Sequence, residues 1–271
     1  MFSIIERLGE KEECAMISEE ELPEGAKVKS LYKALKLLDF FTNQNPERGI
    51  SELAELSGLL KSSVHNIMST FEVCGLIEKN PLTNRYGLGL KVLELSNVLS
   101  QDDVFSHIIV PYMNELAEAT GETVFFATPY GTKVIYRESA FPNHSISVRA
   151  IRGVVAPMYC TGIGKAYLAY QSEAFIERVI AEGLAPFTPN TITDSARFRK
   201  EMEEIRQRGY AVDNMEHEYG IKCVGVPIRN SGQNLIGSMS ITGPSLRFTD
   251  RNIKEHAALM LSMAEQIKGR L

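Results

Sequence analysis

The 271-residue sequence has no tryptophan, only four cysteines and no apolar run close to the ~18 residues that span a bilayer. The cysteines lie at least 60 residues apart, so no two have the C-x₂-C spacing of zinc and redox sites. The first 21 residues carry charges through what would be the apolar core of a signal peptide. We therefore expect a reduced, cytoplasmic protein that has no membrane partner.

The sequence also lacks the short motifs that mark common enzyme classes. It contains no G-x-S-x-G nucleophile elbow, no H-E-x-x-H zinc motif and no glycine-rich dinucleotide fingerprint. None of its five histidines has metal-ligand spacing. One enzymatic alternative stays open, a thiol nucleophile built from Cys223 or Cys160 with His217 and Asp213 or Glu216. The absences favour a protein that is not an enzyme and needs no cofactor or metal.

The composition is that of an ordinary folded protein, with 44% hydrophobic and 23% charged residues in a chain long enough for two domains. Its net charge of −5 is unevenly distributed. Residues 1–27 hold eight acidic and three basic side chains, which predicts a solvated acidic extension. Residues 28–91 hold eight basic and six acidic side chains, so this segment is the candidate for an anionic partner.

Apolar periodicity after the acidic extension predicts three helices. The first has Ser30 as its N-cap, the second begins at Ser51 and is broken at Ser57-Gly58, and the third begins near Lys61. Two short extended pieces follow, at 76–79 and 85–88. Three helices and a two-stranded ribbon in this order are typical of a winged helix-turn-helix domain.

The third helix carries the side chains that a DNA-reading helix needs. The face opposite its apolar stripe has short hydrogen-bonding groups for base edges and phosphates, namely Ser62, Ser63, His65, Asn66, Ser69 and Thr70. Lys61 at the helix start and Arg85 in the ribbon would reach the flanking phosphates. The alternative is a small helical subdomain whose polar face meets only water. The ribbon and the local positive charge favour DNA.

The rest of the chain mixes helical and strand periodicity. Helices are predicted from Leu90 and over 104–120, 163–181, 195–208 and 250–269, with hairpins at 123–138 and 222–242. Hairpins interspersed with helices predict an α+β domain. The expected organisation is an acidic extension (1–27), a winged helix-turn-helix domain (28–88), a linker helix (89–103) and a second domain (104–271).

Two groups of residues in the second domain suit a small polar acid. Thr161 and Gly162 open a helix whose first backbone N–H groups would seat a carboxylate, unless this helix start merely packs closely. The second group consists of Asp213, Cys223, Ser240 and Thr242. Ser240 and Thr242 point to the same face of their strand because they are two residues apart. Taken singly, each of these side chains is more often structural, and Cys223 is typical of a small buried residue.

Six blocks of sequence, in order from about Lys29 to the C-terminus, resemble the isocitrate-lyase-regulator (IclR) family of bacterial transcription factors. They are SLYKALKLLDFF, ISELAELSGLLKSSVHNIMSTFEVCGLIEK, NRYGLGLKVLEL, CTGIGKAYLA, IRQRGYAVDNMEHEYGIKCVGVPI and SMSITGPSLRF. The resemblance implies a winged helix-turn-helix domain, a linker helix and a profilin/GAF-like effector domain with an antiparallel six-stranded sheet flanked by helices. It also implies dimers or dimers of dimers on operator DNA, commonly repressing catabolic operons until a small organic acid binds.

The resemblance also assigns residues to the effector site. The family's contacts map onto the backbone amides of Thr161 and Gly162, the acid Asp213, the cysteine Cys223 and the hydroxyls of Ser240 and Thr242. Sugar acids, glyoxylate-like acids and aromatic carboxylates all remain open as effectors.

Two positions depart from the family pattern. Asn66 stands where the recognition helix usually has arginine, and Gly225 stands where alanine is frequent, which suggests an enlarged pocket. We expect a repressor of a catabolic operon that a small organic acid releases. The alternatives are an activator of the same architecture and a small-acid sensor whose winged helix contacts protein.

Overall fold

The computed structural model describes residues 25–101, 104–142 and 151–271, together with Ile17, Leu22 and Pro23. Most of the predicted acidic extension therefore lies outside the described residues. The chain divides into two compact units, Met1–Asp103 and Val104–Leu271, and each is described by itself. Within the described residues, no helix is both long and apolar enough to cross a bilayer.

Among its described residues, the N-terminal unit contains four α-helices and three short strands. In chain order they are α1 (Lys29–Lys36), a 3₁₀ turn (Leu37–Phe40), β1 (Glu47–Arg48), α2 (Ile50–Ser57), α3 (Lys61–Val73), β2 (Ile77–Lys79), β3 (Tyr86–Leu88) and α4 (Leu90–Gln101). Side chains from α2, α3 and the 3₁₀ turn form its core, in which Leu37, Leu53, Val64 and Met68 are fully buried. This buried face positions the opposite face of α3 toward solvent.

The turn between α2 and α3 is set by local chemistry. Helix α2 ends at Ser57 because Gly58 adopts a φ of 70°, a left-handed conformation that glycine reaches without strain. The Ser57 hydroxyl then accepts a hydrogen bond from the Leu59 amide at 3.3 Å. At the first helix the predicted N-cap was wrong. Helix α1 begins one residue before Ser30, with Val28 in the cap position and no side-chain hydrogen bond there.

The wing is a three-stranded antiparallel sheet in the order β1-β3-β2, not the two-stranded ribbon that the sequence predicted. Strand β1 pairs Glu47 with Gly87 and Arg48 with Tyr86. No strand was predicted at residues 47 and 48, since two residues are too short to show an alternating pattern. The extra strand anchors the wing to the segment that precedes α2.

The C-terminal unit is an α+β domain. Its elements are α5 (Val104–Thr120), β4 (Thr123–Tyr130), β5 (Lys133–Ala140), β6 (Val155–Pro157), α6 (Gly162–Leu168), α7 (Glu173–Ala181), α8 (Ser195–Arg208), β7 (Ala211–Asn214), β8 (Ile221–Arg229), β9 (Leu235–Pro244), a 3₁₀ turn (Ser245–Arg247) and α9 (Asp250–Lys268). The strands form one antiparallel six-stranded sheet in the order β6-β5-β4-β9-β8-β7. This architecture confirms the predicted fold class.

The sheet separates two apolar layers. Helices α5 and α9 pack on the face that carries Val224, Val226 and Ile241. Helices α6, α7 and α8 pack on the other face, around Ala127 and Ala211. Because strand side chains alternate between faces, Cys223 of β8 and its even-numbered neighbours Ser240 and Thr242 of β9 point toward α6.

Two details of this domain differ from the sequence-based prediction. The single helix expected over 163–181 is two helices, because the hydroxyl of Ser172 accepts a hydrogen bond from the Phe175 amide and caps a new helix there. The short edge strand β6 was not predicted, and the strand at the other edge of the sheet, β7, carries Asp213. The three residues of β6 give too weak an alternation to be recognised from sequence alone.

Candidate functional site

The polar face of α3 is presented to solvent, as predicted. Val64, Met68 and Phe71 are buried, while the polar face is open along its length. Of the residues predicted to contact DNA on this helix, Lys61, Ser62, Ser63, His65, Asn66 and Thr70 are exposed, and Ser69 is half-buried. The Thr70 hydroxyl donates to the Asn66 carbonyl at 2.8 Å, so its proton is already used within the helix.

Arg85 has an internal partner that the sequence did not reveal. Its guanidinium donates to both oxygens of Glu52, at 3.2 and 2.7 Å, and to the Glu47 carbonyl at 3.0 Å. Glu52 also accepts a hydrogen bond from the Gly49 amide at 3.0 Å. These hydrogen bonds, first the one from Gly49 and then those from Arg85, lower the pKa of Glu52. Arg85 thereby ties the wing to the start of α2.

The tip of the wing is held by a small network. The Asn80 side chain accepts hydrogen bonds from the amides of Leu82 and Thr83, at 2.9 and 3.3 Å. Its own amide group donates to Glu47 at 2.9 Å, and the Thr83 hydroxyl donates to the same carboxylate at 3.2 Å. The loop between β2 and β3 is therefore anchored to β1 and presents a defined surface.

In the C-terminal domain, Thr161 caps helix α6 at the sheet. Its hydroxyl accepts a hydrogen bond from the Gly164 amide at 3.1 Å and donates to the Pro157 carbonyl at 2.8 Å. Both functions of the hydroxyl are thus used inside the protein. Any contribution of Thr161 to ligand binding comes from its backbone, which is what the sequence-based assignment proposed.

Glycines let α6 approach strand β8 closely. A Cβ atom on Gly162 would lie 2.9 Å from the Cβ of Cys223, and a Cβ atom on Gly225 would lie 2.3 Å from the Gly162 carbonyl oxygen. The expectation that Gly225 enlarges a pocket was therefore wrong. The space that an alanine methyl would occupy is filled by the backbone of α6, and the glycine permits that contact.

The strand residues of the candidate site meet across three strands. Cys223 lies opposite Asp213 on one side and Thr242 on the other, and Ser240 lies opposite Gly225. The Thr242 hydroxyl donates to the Cys223 sulfur at 3.2 Å. Side chains at directly paired positions share a face, so all four polar residues lie on the face that α6 covers. The structure thus brings them together with the start of α6.

Burial dominates the electrostatics of this site. Burial first, and then the nearby charge of Glu216, raise the pKa of Asp213 to about 7. Burial also raises the pKa of the Cys223 thiol, and the neighbouring Asp213 raises it further. The site therefore offers neutral thiol and hydroxyl groups and one carboxyl group that gains or loses its proton near neutral pH.

The geometry disfavours the thiol-enzyme alternative. A nucleophilic cysteine needs a lowered pKa, whereas burial raises the pKa of both Cys160 and Cys223. Burial lowers the pKa of His217 to about 4, and its ring packs against Phe187 with the centroids 5.0 Å apart. Within the described residues, no three His, Cys, Asp or Glu side chains are grouped so as to hold a metal ion.

Sequence reasoning missed several polar residues around the site. Lys165 is fully buried, and its ammonium contacts Glu216, Glu201 and the Val212 carbonyl at 2.5, 3.3 and 2.7 Å. The hydroxyl of Tyr136 belongs to the same region, because its pKa is raised by burial and then by Cys223 and Asp213. Lysine is almost never buried, so the pattern gave no reason to look for it inside the domain.

Two domains with a solvent-facing helix-turn-helix surface and a buried polar site define the class of a DNA-binding transcriptional regulator, and comparisons with known proteins agree. The model of the IclR helix-turn-helix domain matches residues 30–81, and that of the bacterial transcriptional regulator IclR C-terminal domain matches residues 96–269. The chain therefore belongs to the IclR family of bacterial transcriptional regulators.

Individual relatives support this assignment over most of the chain. The DNA-binding transcriptional repressor YiaJ of Escherichia coli is 30% identical over 222 residues, covering 80% of this chain and 78% of that protein. The regulator XynR of the same organism is 29% identical over 245 residues, covering 88% and 97%. An IclR transcriptional regulator from a Silicibacter species superposes with a TM-score of 0.76 at 30% identity, covering 89% and 96%. These relatives are regulators of transcription, not enzymes.

Proposed function

We propose that this regulator represses a catabolic operon and that a small organic acid, bound in the C-terminal domain, releases it from its operator. The observation that carries the proposal is the meeting of the α6 N-terminus with Asp213, Cys223 and Thr242 on the face of the sheet that α6 covers. Backbone N–H groups at a helix start favour a carboxylate. The adjoining carboxyl and hydroxyl groups suit the polar remainder of a small acid.

On the DNA side, we assign the exposed face of α3 to the major groove. Lys61 and Arg85 contact flanking phosphates, and the residues that face the groove are Ser62, Ser63, His65, Asn66, Ser69 and Thr70. The membership of the chain in a family of DNA-binding regulators favours DNA over the alternative in which the winged helix contacts protein. Because this segment carries only a modest positive charge, one copy of the domain binds weakly, and paired copies supply the phosphate contacts that operator binding needs.

We assign residues 28–88 to DNA binding, 89–103 to the linker and 104–271 to effector binding.

The linker supports the pairing of two copies of the chain. Helix α4 exposes several large apolar side chains to solvent, namely Leu90, Leu93, Leu95, Val98 and Leu99. Exposed apolar surface of this kind favours self-association into dimers or dimers of dimers. A cytoplasmic location follows from the proposed role at operator DNA.

The polar groups of the site favour a small organic acid and do not select one class of acid. One structural neighbour, an IclR homologue from Microbacterium hydrocarbonoxydans, was solved with 4-hydroxybenzoate. It is 19% identical with a TM-score of 0.73, covering 89% of this chain and all of the neighbour, so its likeness concerns the fold. Sugar acids, glyoxylate-like acids and aromatic carboxylates are therefore all candidates.

The proposal is tested by footprinting the full-length protein on the DNA upstream of its own gene, with and without gluconate, glyoxylate and 4-hydroxybenzoate. We expect a protected site that one of these acids clears. A reporter gene under that upstream region distinguishes repression from activation, because deletion of the regulator raises expression only if it is a repressor. An upstream region left unprotected at low salt contradicts the proposal.

A further inference from the structure

The most unusual side chain in the C-terminal domain is Lys165, which lies in the first turns of α6 with no exposed surface. Its ammonium has three N–H groups and three acceptors, Glu216 at 2.5 Å, the Val212 carbonyl at 2.7 Å and Glu201 at 3.3 Å. Burial acts to lower the pKa of Lys165, but the charges of Glu216 and Glu201 outweigh it and raise this pKa. The ammonium therefore stays charged and has no N–H group left for a ligand.

The acceptors of Lys165 belong to the elements that build the candidate site. Val212 precedes Asp213 in strand β7. Glu216 lies in the turn after that strand, and its backbone amide donates to the Asp213 carboxylate at 2.7 Å. Lys165 itself belongs to the helix whose first amides would receive the effector. One buried ammonium thus joins the helix start to the strand and turn that hold Asp213.

The ion pairs of Lys165 do not give the most stable arrangement that this buried site could have. One oxygen of Glu216 is buried and has no hydrogen-bond partner among the described residues. A buried carboxylate oxygen without a partner costs free energy, and apolar side chains of similar volume are often as stable as a buried ion pair. Stability alone therefore does not account for this buried pair, which lies directly beside the candidate site.

We propose that Lys165 and Glu216 are positioning residues of the effector site, and the proposal rests on the proposed function of that site. Without touching the effector, they hold the start of α6 against strand β7 and decide whether Asp213 carries a proton when an acid arrives. An arriving carboxylate is repelled by an ionised Asp213 and accepted by a protonated one, which also gains the ability to donate a hydrogen bond. The ion pair would in this way set both the shape and the charge of the site.

The charged groups around Asp213 determine in which direction each substitution should shift the pKa of Asp213. The titratable groups that face it are Cys223 from β8, Cys160 from the segment before α6, Lys165 from α6, Glu216 from the turn after β7 and Tyr136 from β5. The raised pKa values of the two thiols and of the phenol leave those groups neutral near pH 7. Lys165 is therefore the nearby cation that lowers the pKa of Asp213, and Glu216 is the nearby anion that raises it.

The proposed control of the protonation of Asp213 is tested without any ligand. The carboxyl carbon of Asp213 is titrated by NMR in the full-length protein, with ¹³C-labelled aspartate and Asp213→Asn to assign the resonance. We expect Lys165→Met to raise the pKa of Asp213 by about one unit or more, which is a tenfold change, and Glu216→Gln to lower it. Glu216→Gln keeps the size of the side chain, so it tests the direction of the pKa shift of Asp213 even if Lys165→Met fails to fold.

The matched control for the NMR titration is Arg199→Met, which breaks a surface ion pair with Glu177 in the same domain, at 2.6 Å. This control should leave the pKa of Asp213 unchanged. A pKa of Asp213 that does not move in Glu216→Gln overturns the proposal, and so does an equal shift in Arg199→Met.

The geometric half is tested by the rate at which iodoacetamide labels Cys223, with the exposed Cys74 as an internal reference. Cys223 is half-buried, and because Gly162 packs against it, loosening the start of α6 should expose its thiol further. We expect labelling about tenfold faster in Lys165→Met combined with Glu216→Gln. Met260→Ala is the control, because Met260 is buried in the layer on the other side of the sheet. Equal acceleration in Met260→Ala at a similar loss of melting temperature reduces the effect to general instability and overturns the proposal.

Failure of this proposal is distinct from failure of the proposed function. If Asp213 and Cys223 respond as expected but none of gluconate, glyoxylate and 4-hydroxybenzoate releases DNA, the ion pair positions these residues and the assigned effector classes are wrong. If an acid releases DNA and Glu216→Gln changes neither readout, the effector site stands and the positioning role is refuted.

Discussion

Arg85 in the wing and Glu52 in helix α2 are joined by two hydrogen bonds, of 3.2 and 2.7 Å. Both side chains remain more than one-third exposed, so solvent screens the pair and it contributes little to stability. The pair fixes the direction of the guanidinium but leaves some of its five N–H groups free. The interaction is therefore compatible with a phosphate contact from the same side chain.

Replacing Arg85 with alanine should weaken binding to all DNA sequences. Loss of one phosphate contact lowers the slope of log affinity against log salt by about one, because one fewer counterion is released. Fluorescence anisotropy with operator and unrelated duplexes at several salt concentrations measures this slope. Glu52→Gln is the control, since it disrupts the same pair and keeps the cation. A slope unchanged in Arg85→Ala would restrict Arg85 to supporting the wing.

Placing a negative charge on the exposed face of α3 should disrupt operator binding selectively. Asn66 is exposed, so Asn66→Asp leaves the core intact while repelling the DNA backbone and removing a donor for base edges. A lost base contact costs about 1–3 kcal/mol, which corresponds to a loss of affinity of about 5- to 150-fold. Gln266→Glu, an exposed amide-to-acid change in α9, is the matched control. Equal affinities of the two variants in gel shifts would exclude Asn66 from the interface.

The hydroxyls of β9 should be required for effector response and not for DNA binding. Ser240→Ala combined with Thr242→Ala removes two polar groups from the face that α6 covers, including the donor to Cys223. We expect operator affinity to be retained and release by the effector acid to be lost. Calorimetry with that acid is the direct check, with Thr132→Ala in the β4–β5 hairpin as control. Unaltered effector affinity in the double variant would remove these residues from the site.

Asp213 should make the stability of the protein depend on pH. A carboxyl group whose pKa rises from 3.8 to about 7 on folding stabilises the fold fully below about pH 4, and this contribution is lost as the pH rises through 7. Asp213→Asn should therefore gain stability over the wild type on going from pH 4 to pH 8, by up to about 4 kcal/mol. Urea unfolding at both pH values measures the difference, and Asp250→Asn controls for loss of a surface carboxylate. A difference that does not change with pH contradicts a buried, proton-binding Asp213.

The long helices and strands were predictable from sequence because their buried apolar residues recur at the spacing of a helix or a strand. Val64, Met68 and Phe71 place α3 unambiguously, and its polar face followed from the same spacing. Strands β1 and β6 were not predictable, because two or three residues carry too little pattern and their pairing depends on distant partners.

Within the site, the strand positions Cys223 and Thr242 could be proposed from sequence, but the network around them could not. The role of Lys165 depends on acceptors 36 to 51 residues away along the chain, and the partner of Arg85 is 33 residues away. No local spacing encodes contacts of this kind. The reason for a glycine at position 225 could not be predicted either, because it depends on the close approach of Gly162, which only the structure reveals.

The most direct test of the central claim is an anisotropy titration of the full-length protein on the upstream duplex, with and without the acid that most raises its melting temperature. We expect binding at low salt and an affinity that the acid lowers by about 5- to 150-fold, the usual range of coupling between two sites. The Ser240→Ala, Thr242→Ala variant should bind the duplex with the same affinity whether or not the acid is present. Wild-type binding that no acid changes, or the absence of binding at low salt, would contradict the account.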